Sequence, residues 1–332
     1  MLVALSQHLS TRPRRWAAAG AAAAAAGLLA GLLWRGLAPP ARWQLEIAAE
    51  PLPTTAVEEA FARLDYDLAQ VRAGRGVPRV LVRSIPDDLG QMAEVDRRKR
   101  LFLGAVLPLV LAVNEQIMAE RETVEAIGRK IAAGQALNAR DGKELERLAR
   151  VYRVIDEDDE TGIAELSDTA LIEELRLRVA PVPVSLALAQ AAEESAWGLS
   201  RFADEGNALY GQWVWNDEAG IVPKKRPAGQ THSVRAFRDL YESTLSYAHN
   251  LNTHSAYGAF RRARAEMLRA TGQLDGHALA GTLTRYSGRG QAYVNSLRSI
   301  IRANDLTALD RAQFIDRQTT RTAAADTVRS RG

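Results

Sequence analysis

Residues 184–213, VSLALAQAAEESAWGLSRFADEGNALYGQW, decide how the chain is read. The first half is apolar and alanine-rich at helical spacing, yet it ends on two adjacent acids, Glu193 and Glu194, with Trp197 and Gly198 close behind. Ser185 stands where it can cap such a helix, and Gly198 suits a left-handed exit. Gln190, Glu194 and Trp197 lie at i, i+4 and i+7 and share one face. Glu193 is turned from Glu194 by about 100°, so one acid points inward and the other outward. A carboxyl held against an indole and alanines is desolvated, which raises its pKa and keeps it protonated near neutrality, as a general acid requires. Composition alone favours a solvated helix end. Helical phase and the neighbouring residues favour a working acid at Glu194 and an exposed, structural Glu193.

The surrounding chain supplies ample length for a core, with 332 residues. Lys and Arg total 43 against 40 Asp and Glu, a net charge of +3, so there is no nucleic-acid-binding arm. The slight basic excess is compatible with an anionic envelope polymer. Cysteine is absent, which excludes disulfides, thiolate metal sites and a cysteine nucleophile. His232 and His254 have no third ligand at zinc spacing, and there is no glycine-rich phosphate loop, so no metal or other cofactor is expected. No flanked serine elbow suggests acyl transfer.

Trp16 to Trp34 is an uncharged run of 19 residues, about the length that spans a bilayer core. Arg12, Arg14 and Arg15 precede it, which favours a cytoplasmic N-terminus and an exported remainder. A cleaved signal peptide is the rival reading and exports the same domain. Segments 1–35 and 36–56 therefore read as tip-plus-anchor and linker. Residues 57–165 read as a helical extension, 166–305 as the main domain, and 306–332 as a flexible basic tail. Val57–Gln70 has helical spacing and Val77–Ile85 alternates as a short extended segment. Leu101–Val113 is too short to span a membrane and contains Pro108, which predicts a buried, kinked helix. Helical spacing resumes over Glu120–Ala149 with a break near Gly134 and Asn138. The acidic run Ile155–Thr161 reads as a solvated turn. Leu166–Val179, Leu240–Asn252, Ala259–Ala270 and Gln291–Ala303 read as helices. Gly220, Pro223, Pro227 and Gly229 mark 219–234 as a hairpin or irregular lobe.

AQAAEESAWG followed by NALYG resembles the glucosaminidase domain of bacterial peptidoglycan hydrolases, glycoside hydrolase family 73. Within that family the chain is most similar to the Bax-like proteins. GQW, GIVP, RPAGQTHSVRAF, NLNTH and LTRYSGRGQAY follow in order, and RKRLFL and LPLVLAVN upstream extend the similarity over roughly Val77–Asn304. The resemblance implies a mainly α, lysozyme-like helical lobe beside a small loop-rich or β lobe, with a sugar cleft between them. It places the family's catalytic glutamate on Glu194 and its C-terminal tyrosine pair on Tyr286 and Tyr293, with Tyr286 beside the catalytic acid. It also implies that Asn207, Tyr210, Gln212, Trp213, His232 and Tyr293 contact or flank substrate, with Trp215 a further stacking candidate. Peptidoglycan glycan strands are the implied partner, reached from a single-pass inner-membrane anchor with the catalytic domain outside the cytoplasm.

The chain departs from the better-known members in one respect. They often carry a second glutamate in the β lobe, whereas IVPKKRPAGQTHSVRAF, residues 221–237, contains no acid. Asp217, Glu218, Asp239 and Glu242 are the nearest acids, and the substrate's own N-acetyl group is an alternative nucleophile. The expectation is an endo-β-N-acetylglucosaminidase cutting the β-1,4 bond after N-acetylglucosamine. A non-catalytic peptidoglycan-binding scaffold and a lytic transglycosylase are the alternatives.

Overall fold

The computed structural model describes residues 43–155, 167–214, 220–223 and 233–315. The Trp16–Trp34 run, the linker up to residue 42, the acidic run beyond Ile155 and the basic tail from 316 lie outside the described residues. The described chain is mostly helical, as expected.

Its axis is α3, Val95–Ala132, a helix of 38 residues in which Leu101–Val113 is buried without interruption. By length and composition it is the one helix among the described residues able to cross a membrane, but its apolar stretch is mostly buried inside the protein. A helix apolar on all sides needs neighbours on all sides. They are α1 (Thr54–Arg63), α5 (Asp168–Arg178), α6 (Val184–Ser195) and α8 (Leu240–Thr253). The expected helix over Val57–Gln70 is divided by a turn into α1 and α2, Leu68–Arg72.

Pro108 does not end α3. A proline removes the amide that would bond the carbonyl four residues back, here that of Gly104. The Tyr66 hydroxyl donates to that carbonyl at 3.1 Å and replaces the lost donor. The helix then continues through the expected Glu120 start to Ala132. After the turn at Gly134, α4 (Ala139–Val151) begins on an Asn138 cap that accepts from the Asp141 amide.

The segment expected as a helical extension is thus not an appendage, because α1 and α3 share one continuous core with α6 and α8. Short parallel strands β1 (Leu45–Ile47) and β2 (Val80–Val82) lie against α3, with Leu45 opposite Val80. The far end of the chain returns to the same region. A 3-10 turn at Leu306–Arg311 packs on α6, and Phe314 bridges Val77. Helices α9 (Gly258–Thr271), α10 (Gly276–Leu279) and α11 (Gln291–Ala303) close the helical body.

Arg264 of α9 is completely buried and accounts for part of the NLNTH motif. Its guanidinium donates to the carbonyls of Leu177, Ala180 and Pro181 and to the Asn252 side chain. It thereby satisfies acceptors at the end of α5 that water cannot reach.

The small lobe is an antiparallel sheet of β3 (Trp213–Val214), β4 (Gly220–Ile221) and β5 (Ser233–Arg235), in the spatial order β3–β5–β4. Trp213 pairs with Val234, and Ile221 pairs with Val234 from the other side. It is joined to the body through α7, Arg201–Gly206, because the Phe237 amide donates to the Gly206 carbonyl.

Candidate active site

The last turn of α6, the turn at 207–212 and the loop at 283–290 converge on Glu194. Helix α6 starts one residue before Ser185 and has no side-chain cap. The expected Ser185 cap is therefore replaced by another role. Its amide and hydroxyl both donate to Asp310, at 2.7 Å each, tying α6 to the C-terminal 3-10 turn.

The helix exit is left-handed at three successive residues, Ala196 (φ 51°), Trp197 (φ 62°) and Gly198 (φ 84°). Non-glycine residues in that region are costly and need external support. Ser195 supplies it: its buried hydroxyl donates to the Ala191 carbonyl at 2.6 Å and accepts the Gly198 amide at 2.8 Å. The serine of the Glu-Ser pair is therefore the brace of the helix end that carries Glu194, a role its sequence position did not reveal. The unwinding also corrects the expected common face. Trp197 leaves the helical phase and packs edge-on to Phe102, with Lys99 above its ring at 4.9 Å. Gln190 and Glu194 keep their shared face.

Tyrosines, not the indole, enclose Glu194. Burial is the main cause that raises the Glu194 carboxyl from 4.5 to about 7. A hydrogen bond from Tyr293 and the charge of Arg289 oppose the shift, while the charge of Glu193 adds to it. Tyr247, Tyr257, Tyr286 and Tyr293 all lie within electrostatic reach of the carboxyl. Their rings are layered. Tyr286 is parallel to Tyr293 with centroids 5.5 Å apart, Tyr257 follows at 5.7 Å, and Tyr210 stacks on Tyr247 at 3.9 Å. Tyr247 and Tyr257 carry no mark in the sequence that separates them from ordinary packing aromatics, and they were not anticipated.

The turn after α7 closes the other side. Asn207 is left-handed, and its side-chain Nδ2 donates to the carbonyls of Phe237 (3.2 Å) and Arg238 (3.3 Å). Tyr210 is 1% exposed. Both were expected to contact substrate, but the first is committed to the lobe junction and the second to packing. Gly211 has φ 61°, and a Cβ there would sit 3.4 Å from Glu194 Oε2, so the backbone passes directly beside the acid. The Tyr210 carbonyl accepts from the Tyr286 hydroxyl at 3.2 Å, which joins this turn to the 283–290 loop.

Gln212 is half-buried. Its Nε2 donates to the Ser246 carbonyl at 3.0 Å, and its buried Oε1 has no hydrogen-bond partner. Trp213 stands exposed on β3 at 45%. Tyr293 is buried and holds Gln190 and Glu194, so it supports the acid and does not line an open surface. His232 and Trp215 lie outside the described residues.

Glu193 is not the free, exposed residue expected. It is half-buried, with Oε1 2.5 Å from Arg289 Nη1 and Oε2 accepting from Ser296 at 2.9 Å. It pins the 283–290 loop and α11 against α6. Of the remaining acids, Asp239 caps α8 by accepting the Glu242 amide and pairs with Arg238. Glu242 accepts the Arg238 amide at 3.0 Å. Asp217 and Glu218 lie outside the described residues. His254 caps the short turn after α8 through the Ala256 amide.

The family model Glucosaminidase, described as mannosyl-glycoprotein endo-beta-N-acetylglucosaminidase, matches residues 172–306, which contain Glu193, Glu194 and the tyrosines around them. Protein bax of Escherichia coli (strain K12) is 31% identical over 221 residues, covering 67% of this chain and 74% of that protein. The chain belongs to the Bax-like glucosaminidase-domain family. No solved structure matches it. The glucosaminidase domain makes this chain a member of a glycoside hydrolase class that acts on glycans, and Glu194 is its half-buried, near-neutral carboxyl.

Proposed function

We propose that this Bax-like protein is an endo-β-N-acetylglucosaminidase of peptidoglycan with Glu194 as its general acid. The observation that carries the reading is the Glu194 carboxyl, protonated up to about pH 7 yet still reachable. Its proton passes to the glycosidic oxygen as the bond from that oxygen to the anomeric carbon breaks. Tyr293 then donates to the carboxylate left behind. Tyr286 steadies the Gly211 turn beside the acid through the Tyr210 carbonyl, and so serves the site through its hydroxyl and its stack on Tyr293.

The developing sugar cation needs a second group. Asp239 and Glu242 are engaged at the start of α8. This favours the substrate's own N-acetyl oxygen as the nucleophile, giving a bicyclic intermediate that water opens. The exposed Trp213 offers a stacking face for a sugar ring.

We further propose that Trp16–Trp34 anchors the chain in the inner membrane and places the enzyme outside the cytoplasm. Protease added to spheroplasts should cleave the domain, and protection that lasts until the inner membrane is permeabilised would overturn this orientation. The activity is tested on cell-wall glycan with wild type and Glu194→Gln, followed by mass spectrometry of the released ends. Reducing N-acetylglucosamine ends from wild type alone support the proposal. Anhydro ends identify a lytic transglycosylase. Equal release by both proteins removes Glu194 from the chemistry, and none by either leaves a binding protein.

A further inference from the structure

Three buried side chains behind Glu194 form a hydrogen-bond chain with a fixed polarity. Tyr247 Oη donates to Gln190 Oε1 at 2.7 Å. Gln190 Nε2 donates to Tyr293 Oη at 3.0 Å. Tyr293 in turn neighbours the Glu194 carboxyl and acts on it electrostatically. Gln190, Tyr247 and Tyr293 are 0%, 1% and 1% exposed, so water does not substitute for any link.

A phenol has one proton and can also accept. Because Gln190 already donates to the Tyr293 oxygen, the Tyr293 proton is left for Glu194. An amide turned end over end would reverse this: Oε1 would face Tyr293, draw its proton away, and leave the ionised Glu194 without its donor. The Tyr247 hydroxyl, with no other acceptor facing it in this chain of bonds, selects the first orientation. Its ring is held in place by the stack on Tyr210.

We propose that Gln190 and Tyr247 are positioning residues for catalysis, a two-link relay that aims the Tyr293 hydroxyl proton at Glu194. The proposal rests on the reading of Glu194 as the general acid. Neither residue is placed to touch substrate. Their work is to stabilise the carboxylate that exists once Glu194 has given up its proton.

Titratable and charged groups face Glu194 from every neighbouring element. They are Glu193 on α6, Arg289 and Tyr286 in the loop before α11, Tyr293 on α11, Tyr247 on α8 and Tyr257 after it. Changing Gln190 or Tyr247 adds or removes no charge among them. A donor to the ionised form lowers a carboxyl pKa, so losing it raises the pKa and moves the alkaline limb of activity to higher pH.

The test measures kcat and KM against pH on solubilised glycan strands, using the whole chain, for Gln190→Leu, Tyr247→Phe and the double variant. Tyr66→Phe is the control, because it also deletes one buried hydroxyl hydrogen bond, made to the Gly104 carbonyl and to no member of the relay. Each relay variant is expected to lower kcat with KM unchanged and to move the alkaline limb up by roughly one pH unit. The double variant moves it no further than either single change, since both break the same chain. Tyr66→Phe leaves the limb where it is.

An unmoved limb in folded Tyr247→Phe overturns the relay, as do shifts that add in the double variant. Tyr247→Phe keeps the ring stack, so it decides the matter even where Gln190→Leu unfolds. Full activity of Glu194→Gln would instead overturn the assignment of the acid.

Discussion

On the helical side of the site the turn after Glu194 is braced by Ser195 and four tyrosines lie around the carboxyl, whereas the sheet side presents an exposed Trp213. The two sides differ in the kind of work they can do. Helices α6, α8 and α11 share the core with α3 and can hold a buried carboxyl at a set protonation state. The short strands bury Arg235 but leave the Trp213 ring open at the surface. On the function proposed above, the asymmetry divides the work, with proton transfer on the helical side, recognition on the sheet side and the second reactive group supplied by the substrate.

The largest expected effect tests the helical side. Glu194→Gln should lower glycan cleavage by roughly 10² to 10⁴-fold, the usual worth of a positioned general acid. Wild-type activity should also fall as pH rises through about 7, since only the protonated form donates. An activity that rises through that range would break the comparison, because Glu194 would then be acting as a base.

The same substitution should stabilise the protein. The folded-state pKa is raised from 4.5 to about 7, so the native state binds the extra proton between those values and stability falls as pH rises through that window. Above it the ionised Glu194 costs up to about 3 kcal/mol. Glu194→Gln should therefore be more stable than wild type at pH 8 and gain little at pH 4, as read from urea midpoints. An equal gain at both pH values would show that the acid is not held out of water.

Ser195→Ala leaves the buried Gly198 amide without its acceptor and should cost about 1–3 kcal/mol in the same measurement. Gly211→Val meets a left-handed backbone and crowds Glu194 from 3.4 Å, at about 1–2 kcal/mol. Activity lost beyond that destabilisation sharpens the claim that the turn carries the acid's second wall. The smallest effects lie on the rim. Glu193→Gln should move the alkaline limb slightly down and Arg289→Ala slightly up, because the two charges act on Glu194 with opposite signs. Their pair is half exposed and adds little to stability.

Much of this was legible in the sequence because it depends on local pattern. Helix α11 falls on Gln291–Ala303, as its periodicity indicates, and α8 and α9 lie within a residue of their expected limits. The Leu101–Val113 run declared a buried helix by being apolar all round. What was not legible depends on partners distant in the chain. Pro108 should kink or end a helix, and only Tyr66, 38 residues from Gly104, explains how the helix passes through it. Ser185 looked like a cap, and only Asp310, 125 residues away, shows its use. Trp197 followed Glu194 in an ideal helical projection until the left-handed exit turned it toward Phe102.

By itself the sequence determined a helical body, a weakly stranded lobe and the position of the acid, because periodicity, glycine placement and the AQAAEES and NALYG motifs are properties of neighbouring residues. The tertiary structure alone decided what makes that acid usable. A carboxyl's protonation depends on what surrounds it in space, and Tyr247, Tyr257, Tyr286 and Tyr293 reach Glu194 from three separate segments of chain.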